Sequence, residues 1–272
     1  MINLKDNKLL RQKKMFLFDI DGTLVLGDKL LPGAGELITY LRENRIRFVL
    51  TTNNSTKGRD DYVRFFEEHN IYISPDEVMT AGILALMFCK ENYSDKKIYM
   101  LSTPSLRRMF EEEGLIISDH YEEDIACVLV TFDTSLTYEK LETASRILNN
   151  RDVVYIASNP DLCCPTMFGA IPDCGSICQM LKNSTGREPK FLGKPYPDIV
   201  NQCRKIWGID TKDTVLVGDR IYTDMTCAEN AGIDGVLVLS GEATDRDAQD
   251  CGLQIPFVFS SVKELYEIIS GQ

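Results

Sequence analysis

No run of about 18 consecutive apolar residues occurs anywhere in the chain, so no transmembrane helix is expected. Basic residues are outnumbered: 30 Lys and Arg stand against 41 Asp and Glu, a formal charge of −11. That balance argues against nucleic acid as a polymer partner, because Lys and Arg would have to neutralise backbone phosphates. It argues equally against docking on an anionic membrane surface. The basic start MINLKDNKLLRQKK is followed only by MFLF before Asp19, too short for the apolar part of a signal peptide. There is no internal repeat, low-complexity tract or Gly/Ser linker. Histidine is limited to His69 and His120, neither of them in a motif.

Nine cysteines are present, an odd number at scattered spacings. This pattern fits reduced thiols in the cytoplasm better than a disulfide framework. Cys163, Cys164, Cys174 and Cys178 fall close together, but C-C and C-x3-C are not the paired C-x2-C spacing of a zinc site. Small buried side chains in a packed layer are the expectation there.

What is present is ordinary in bulk and specific in detail. The 272 residues are 44% hydrophobic and 26% charged, enough for one large soluble domain or two smaller ones. Strand-like and helix-like segments alternate, the pattern of an α/β protein with a largely parallel sheet. Met15 to Ile20 reads as a buried strand. Gly33 to Glu43 carries Leu37, Ile38 and Leu41 at helical spacing, and Ile46 to Leu50 is the next strand. A helix through Tyr62, Phe65 and Phe66 follows. The middle keeps the rhythm with Ile98–Leu101, Leu106–Glu113, Val128–Thr131, Tyr138–Leu148 and Val153–Ala157. The last third reads as strand Val215–Val217, helix Asp224–Asn230, strand Val236–Leu239 and helix Val262–Ile269. Periodicity alone marks no domain boundary.

Four short motifs carry chemistry. Asp19-Ile20-Asp21-Gly22-Thr23 directly follows the first strand. Ideal strand alternation puts both carboxylates on one side, where one can act as nucleophile and the other as acid and base. The plain alternative is a turn with two solvated Asp. Thr51-Thr52-Asn53-Asn54-Ser55 ends the next strand with small hydroxyls and amides suited to phosphoryl oxygens, or to capping a helix. Gly193-Lys194-Pro195 fails as a phosphate-binding P-loop: six residues separate Gly186 from Gly193, and Pro195 stands where Ser or Thr should be. What remains is a lysine fixed at a loop by proline. Gly218-Asp219-Arg220 with Thr223-Asp224 places two Asp across a strand-to-helix turn, where they can face one Mg²⁺ or favour the helix N-terminus. All four sit where open α/β sheets hold ligands, and together they make a complete set for phosphoryl transfer.

The order D-x-D-G-T, T-N-N, G-K-P, G-D-R-x-x-T-D resembles the haloacid dehalogenase superfamily of phosphatases, over about Phe16 to Glu242. More narrowly it resembles the NagD-like, 4-nitrophenyl-phosphatase type with a type II α/β cap. The stretches Asn53-Asn54-Ser55-Thr56-Lys57 and Ala157-Ser158-Asn159-Pro160-Asp161 support this. The resemblance implies a Rossmann-like, doubly wound parallel-sheet core at 1–80 and 188–272, with a cap inserted at 81–187. It implies that Asp19 forms an aspartyl-phosphate and that Asp21 protonates the leaving oxygen and then activates water. Thr52, Asn53 and Lys194 would hold the phosphoryl group. Asp19, the backbone carbonyl of Asp21, and Asp219 would bind Mg²⁺, supported by Asp224.

The implied activity is Mg²⁺-dependent hydrolysis of small phosphomonoesters. A sugar phosphate is the first choice, followed by a nucleoside monophosphate and pyridoxal phosphate. A phosphotransferase and a non-catalytic binder of phosphorylated ligands are the alternatives. The loop Ser158 to Pro172 resembles the family's specificity loop, where Asn159 and Asp161 could bind polar leaving groups, or simply form an Asx turn. Tyr196 and Arg220 are lesser candidates. Caps of this subfamily often dimerise, which leaves a homodimer through the cap open.

Overall fold

The computed structural model describes residues 6–56, 58–166 and 168–271. The first five residues, Lys57 of the second motif and Met167 of the Ser158–Pro172 loop lie outside the described residues. The chain divides into two compact units. The first comprises Met1–Thr52, Arg59–Met79 and Lys194–Gln272, and the second Asn53–Gly58 and Thr80–Gly193. The expected joins lay after residues 80 and 187. In the structure Asn53–Gly58 goes with the second unit, and the later join falls between Gly193 and Lys194.

The strands used below are, in chain order, β1 (Met15–Asp19), β2 (Arg47–Thr52), β3 (Val78–Thr80), β4 (Lys97–Leu101), β5 (Ile116–Ser118), β6 (Ile125–Val130), β7 (Val154–Ala157), β8 (Lys190–Phe191), β9 (Thr214–Gly218), β10 (Asp234–Val238) and β11 (Phe257–Phe259). The first unit holds a six-stranded sheet ordered β11-β10-β9-β1-β2-β3. β1 is central and pairs in parallel with both β2 and β9, with Met15 opposite Arg47 on one side and Thr214 on the other. A strand buried on both faces needs a continuous apolar run, and every residue of MFLFD is buried. The side chains Phe16, Phe18, Leu50, Val215, Val217, Val236 and Phe257 form one core with Leu37, Ile38 and Leu41 of the helix Ala34–Glu43.

The second unit is built on a five-stranded sheet ordered β8-β7-β6-β4-β5, again with parallel pairs. The helices Ala81–Tyr93, Pro104–Glu112 and Tyr138–Leu148 each begin at a threonine, Thr80, Thr103 or Thr137, whose hydroxyl accepts from a backbone N–H in the first turn. Helix Cys174–Thr185 carries Cys174 and Cys178 one turn apart in this unit's core, among Val128, Tyr155 and Leu181. Cys163 is exposed and Cys164 half-buried on an antiparallel hairpin of Cys163–Thr166 with Gly169–Pro172. The chain is thus an α/β protein with parallel sheets. Among the described residues, no helix is long and apolar enough to cross a membrane.

Candidate active site

In the first unit the strand order reverses at β1, and loops leaving the carboxyl ends of its neighbours diverge there. This is the switch point at which open α/β sheets form a crevice. Asp19 closes β1, Thr52 closes β2, and Asp219 follows the last residue of β9. Three elements of the sheet therefore deliver their polar termini to one end, because the parallel register aligns Asp19 with Thr51.

Asp19, Asp219 and Asp224 are all buried, and each offers a carboxylate oxygen within 4.8 Å of the others. Lys194 reaches into the same place. Its Nζ donates to Asp19 Oδ1 at 2.5 Å and to Asp224 Oδ1 at 2.7 Å, and the residue is only 1% exposed. Three carboxylates face one ammonium, so with all groups ionised the cluster carries two uncompensated negative charges. The electrostatics respond accordingly. Burial pushes the Asp19 carboxyl well above the usual carboxylate range; Lys194 pulls it back, and Asp224 and Asp219 add to the push. Burial also pushes Asp219 up to about 6, with Asp224 adding to it. Burial lowers the Lys194 ammonium, but Asp19 and Asp224 outweigh this and hold it above the ordinary lysine value. A cluster of hard oxygen donors with surplus negative charge is chemically suited to a divalent cation such as Mg²⁺.

Main-chain groups fix the carboxylates. Asp219 Oδ2 accepts from the Glu242 N–H at 2.7 Å, and Asp224 Oδ2 from the Arg220 N–H at 3.2 Å. Asp224 lies in a single π-helical stretch, Ile221–Met225, ahead of the short helix Thr226–Asn230. The backbone comes very close to Asp219: a Cβ on Gly241 would stand 1.9 Å from its Oδ2, and one on Gly22 would stand 2.3 Å away. Gly22 also has a φ of +86°, so the D-x-D-G turn needs glycine twice over, for its conformation and for this approach. Arg220 pairs through Nε with Glu242 Oε2 at 3.0 Å.

β1 ends at Asp19, and Asp21, two residues on, has an exposed side chain that is not one of the three clustered carboxylates. Its backbone bridges to Val25. It lies near the buried Tyr62: burial raises that phenol's pKa, Asp21 adds to the effect, and Thr52 opposes it. Thr52 is buried at the end of β2.

Of the remaining candidates, Asn53, Asn159 and Asp161 belong to the second unit and Tyr196 to the first. Asn53 donates through Nδ2 to Asp161 Oδ2 at 2.9 Å, and Asn159 donates to the same oxygen at 3.2 Å. Asn159 is fully buried, so its amide is engaged inside the protein rather than presented at a surface. Tyr196 is exposed; its carbonyl accepts from Cys227 Sγ. Sequence reading missed Gly241, the Glu242 N–H and Tyr62. The first two act through close approach and the main chain, and Tyr62 reads as one of three apolar positions on a helix.

Comparison with known proteins matches this geometry to a family. The haloacid dehalogenase-like hydrolase family model matches residues 16–116, and a second model of haloacid-dehalogenase-hydrolase-like proteins matches 191–265. An acid sugar phosphatase of Staphylococcus haemolyticus is 32% identical over 253 residues, covering 93% of this chain and 95% of that protein. The crystal structure of a 4-nitrophenylphosphatase from Thermotoga maritima has a TM-score of 0.90 at 38% identity, covering 96% of this chain and 99% of that one. NagD from E. coli K-12 superposes with a TM-score of 0.85 at 26% identity, covering 93% and 98%. The chain belongs to the haloacid dehalogenase-like hydrolases, in their NagD-like branch.

Proposed function

We propose that the chain is a Mg²⁺-dependent phosphatase that hydrolyses small phosphomonoesters, sugar phosphates first among them, through an aspartyl-phosphate. The observation that carries this reading is the buried group of Asp19, Asp219 and Asp224 around Lys194 at the carboxyl ends of the central strands. The relatives named as an acid sugar phosphatase and a 4-nitrophenylphosphatase support it.

In this mechanism an Asp19 oxygen attacks phosphorus, and the bond from phosphorus to the ester oxygen breaks. Asp21 donates a proton to that oxygen as it leaves. Asp21 then takes a proton from water, the resulting hydroxide attacks phosphorus, and Asp19 is released. Lys194 and Thr52, with Asn53 following it in the chain, hold the phosphoryl oxygens. Asp19, Asp219 and Asp224 are the side chains that would hold Mg²⁺, which when bound neutralises charge on the phosphoryl group. The second unit is the proposed cap, and a homodimer through it is the proposed assembly. The charge of −11 supports a small-molecule substrate over a nucleic-acid or membrane partner, and the odd, scattered cysteines support a cytoplasmic location.

A screen of phosphorylated metabolites with Mg²⁺ tests the reading directly. Phosphate release from hexose phosphates, stopped by EDTA and restored by Mg²⁺, is the expected result. Release that persists undiminished in EDTA would remove the metal from the proposal, and no release from any phosphomonoester would remove the activity.

A further inference from the structure

We propose that Asp161 is a positioning residue that orients Asn53, and not a contact for the substrate's leaving group. The inference rests on the phosphatase reading, in which Asn53 helps to hold the phosphoryl group. Its geometry lies wholly within the second unit.

One carboxylate oxygen, Asp161 Oδ2, accepts from both Asn53 Nδ2 at 2.9 Å and Asn159 Nδ2 at 3.2 Å. An ionised carboxylate only accepts, so the atom facing it from each asparagine is the amide nitrogen, and both amide orientations are decided by chemistry. Asn159 is pinned further. Its Nδ2 also donates to Asp173 Oδ1 at 3.3 Å, and its Oδ1 accepts from Ser158 Oγ at 2.7 Å. Asp173 in turn caps the helix Cys174–Thr185 through the Cys174 N–H. Ser158 Oγ lies 3.3 Å from Ser55 Oγ, which accepts from the Phe132 N–H at 3.0 Å.

The chain of bonds therefore begins in the T-N-N segment, passes through the loop after β7 and returns to the T-N-N segment. Asn53, Ser55, Ser158, Asn159 and Asp173 are buried and Asp161 is half-buried, and a polar network so enclosed is rigid when its members are satisfied. With Nδ2 turned to Asp161, Asn53 Oδ1 faces the opposite way. A Cβ on Gly193 would stand only 2.6 Å from it and 2.6 Å from the Ser158 carbonyl oxygen. Glycine in the G-K-P motif thus permits the packing that holds Asn53 from its other side. The side chain of Asp161 serves this network, and through it the residue next in the chain to Thr52.

The two roles for Asp161 differ in what the enzyme loses. A leaving-group contact matters for a sugar phosphate and not for 4-nitrophenyl phosphate, whose leaving group carries no hydroxyls to bind. A positioning role acts on the phosphoryl group, which every substrate shares. The test is Asp161→Ala and Asp161→Asn, assayed with 4-nitrophenyl phosphate and a hexose phosphate, with inorganic phosphate binding measured by calorimetry.

Asp161→Ala should lower kcat/KM about tenfold or more, by the same factor for both substrates, and weaken phosphate binding. Asp161→Asn should recover most of the loss, because a single carbonyl oxygen at the Oδ2 position still accepts from both amides. In Asn53→Ala, removing Asp161 as well should cost little more. A loss confined to the hexose phosphate would overturn the proposal, as would unchanged phosphate binding in Asp161→Ala or fully additive effects with Asn53→Ala. If the unsubstituted protein hydrolyses neither ester, the phosphatase reading fails while phosphate binding by the variants still decides the role of Asp161.

Discussion

Lys194 Nζ stands 2.7 Å from Asp224 Oδ1, and both side chains are buried. Removing one partner of such a pair leaves an uncompensated buried charge, a cost of about 3–5 kcal/mol. Lys194→Met should therefore lower the unfolding temperature markedly in EDTA. Mg²⁺ should restore part of the loss, since it adds positive charge among the same carboxylates. Turnover should fall by about a hundredfold or more even with saturating Mg²⁺, because in the proposed mechanism the ammonium is the charge that holds the phosphoryl group. Calorimetry with and without Mg²⁺, followed by a steady-state assay, checks both parts.

Asp19→Asn separates chemistry from stability. The amide is almost isosteric but is a poor nucleophile, so turnover should drop by about a thousandfold or more. Burial works against the Asp19 charge, so the metal-free variant should unfold at the same temperature or higher. Activity near that of the unsubstituted protein would remove Asp19 as nucleophile.

The pH dependence of stability has a definite sign. Asp219 is pushed up from 3.8 to about 6 in the folded protein. The metal-free fold therefore holds this proton more tightly than the unfolded chain does. The stabilisation is fully present below about pH 4 and is lost as pH rises through about 6. Mg²⁺ requires the ionised form, so it should raise the unfolding temperature much more at about pH 7.5 than at about pH 5. Equal Mg²⁺ shifts at the two values would count against Asp219 as a ligand.

Gly241→Ala tests the close approach at Asp219. The added Cβ would stand 1.9 Å from Oδ2, so the carboxylate or its loop must move. The Glu242 N–H that holds this oxygen moves with them. The expected outcome is an activating Mg²⁺ concentration raised by about tenfold, with KM for substrate changed far less. A Mg²⁺ titration at saturating substrate measures it.

Much of the site is legible in the sequence because its side chains are chemically unusual at strand ends. Asp19, Lys194, Asp219 and Asp224 stand out for that reason, and they converge. Asp21 lies two residues past the end of β1 and is exposed, so strand alternation by itself does not place its side chain. Contributions from the main chain have no side-chain signature, so the Glu242 N–H and the space at Gly241 are not readable. In the fold, the long central strands and amphipathic helices are clear. β3, β5, β8 and β11 are short edge strands of two or three residues, too brief for any period to develop. The helix Ala81–Tyr93 is buried around most of its circumference, which erases the stripe by which a helix is recognised.

The position of β1 has a consequence in time. Its two neighbours, β2 and β9, come from the first and last thirds of the chain, and synthesis delivers them in that order. Until Thr214–Gly218 leaves the ribosome, β1 has one bare edge, and Asp19 stands without Asp219 or Asp224. An interrupted chain that stops before β9 would expose an apolar strand edge prone to wrong pairing. It would also lack two of the three carboxylates of the buried cluster, leaving Asp19 alone of that group.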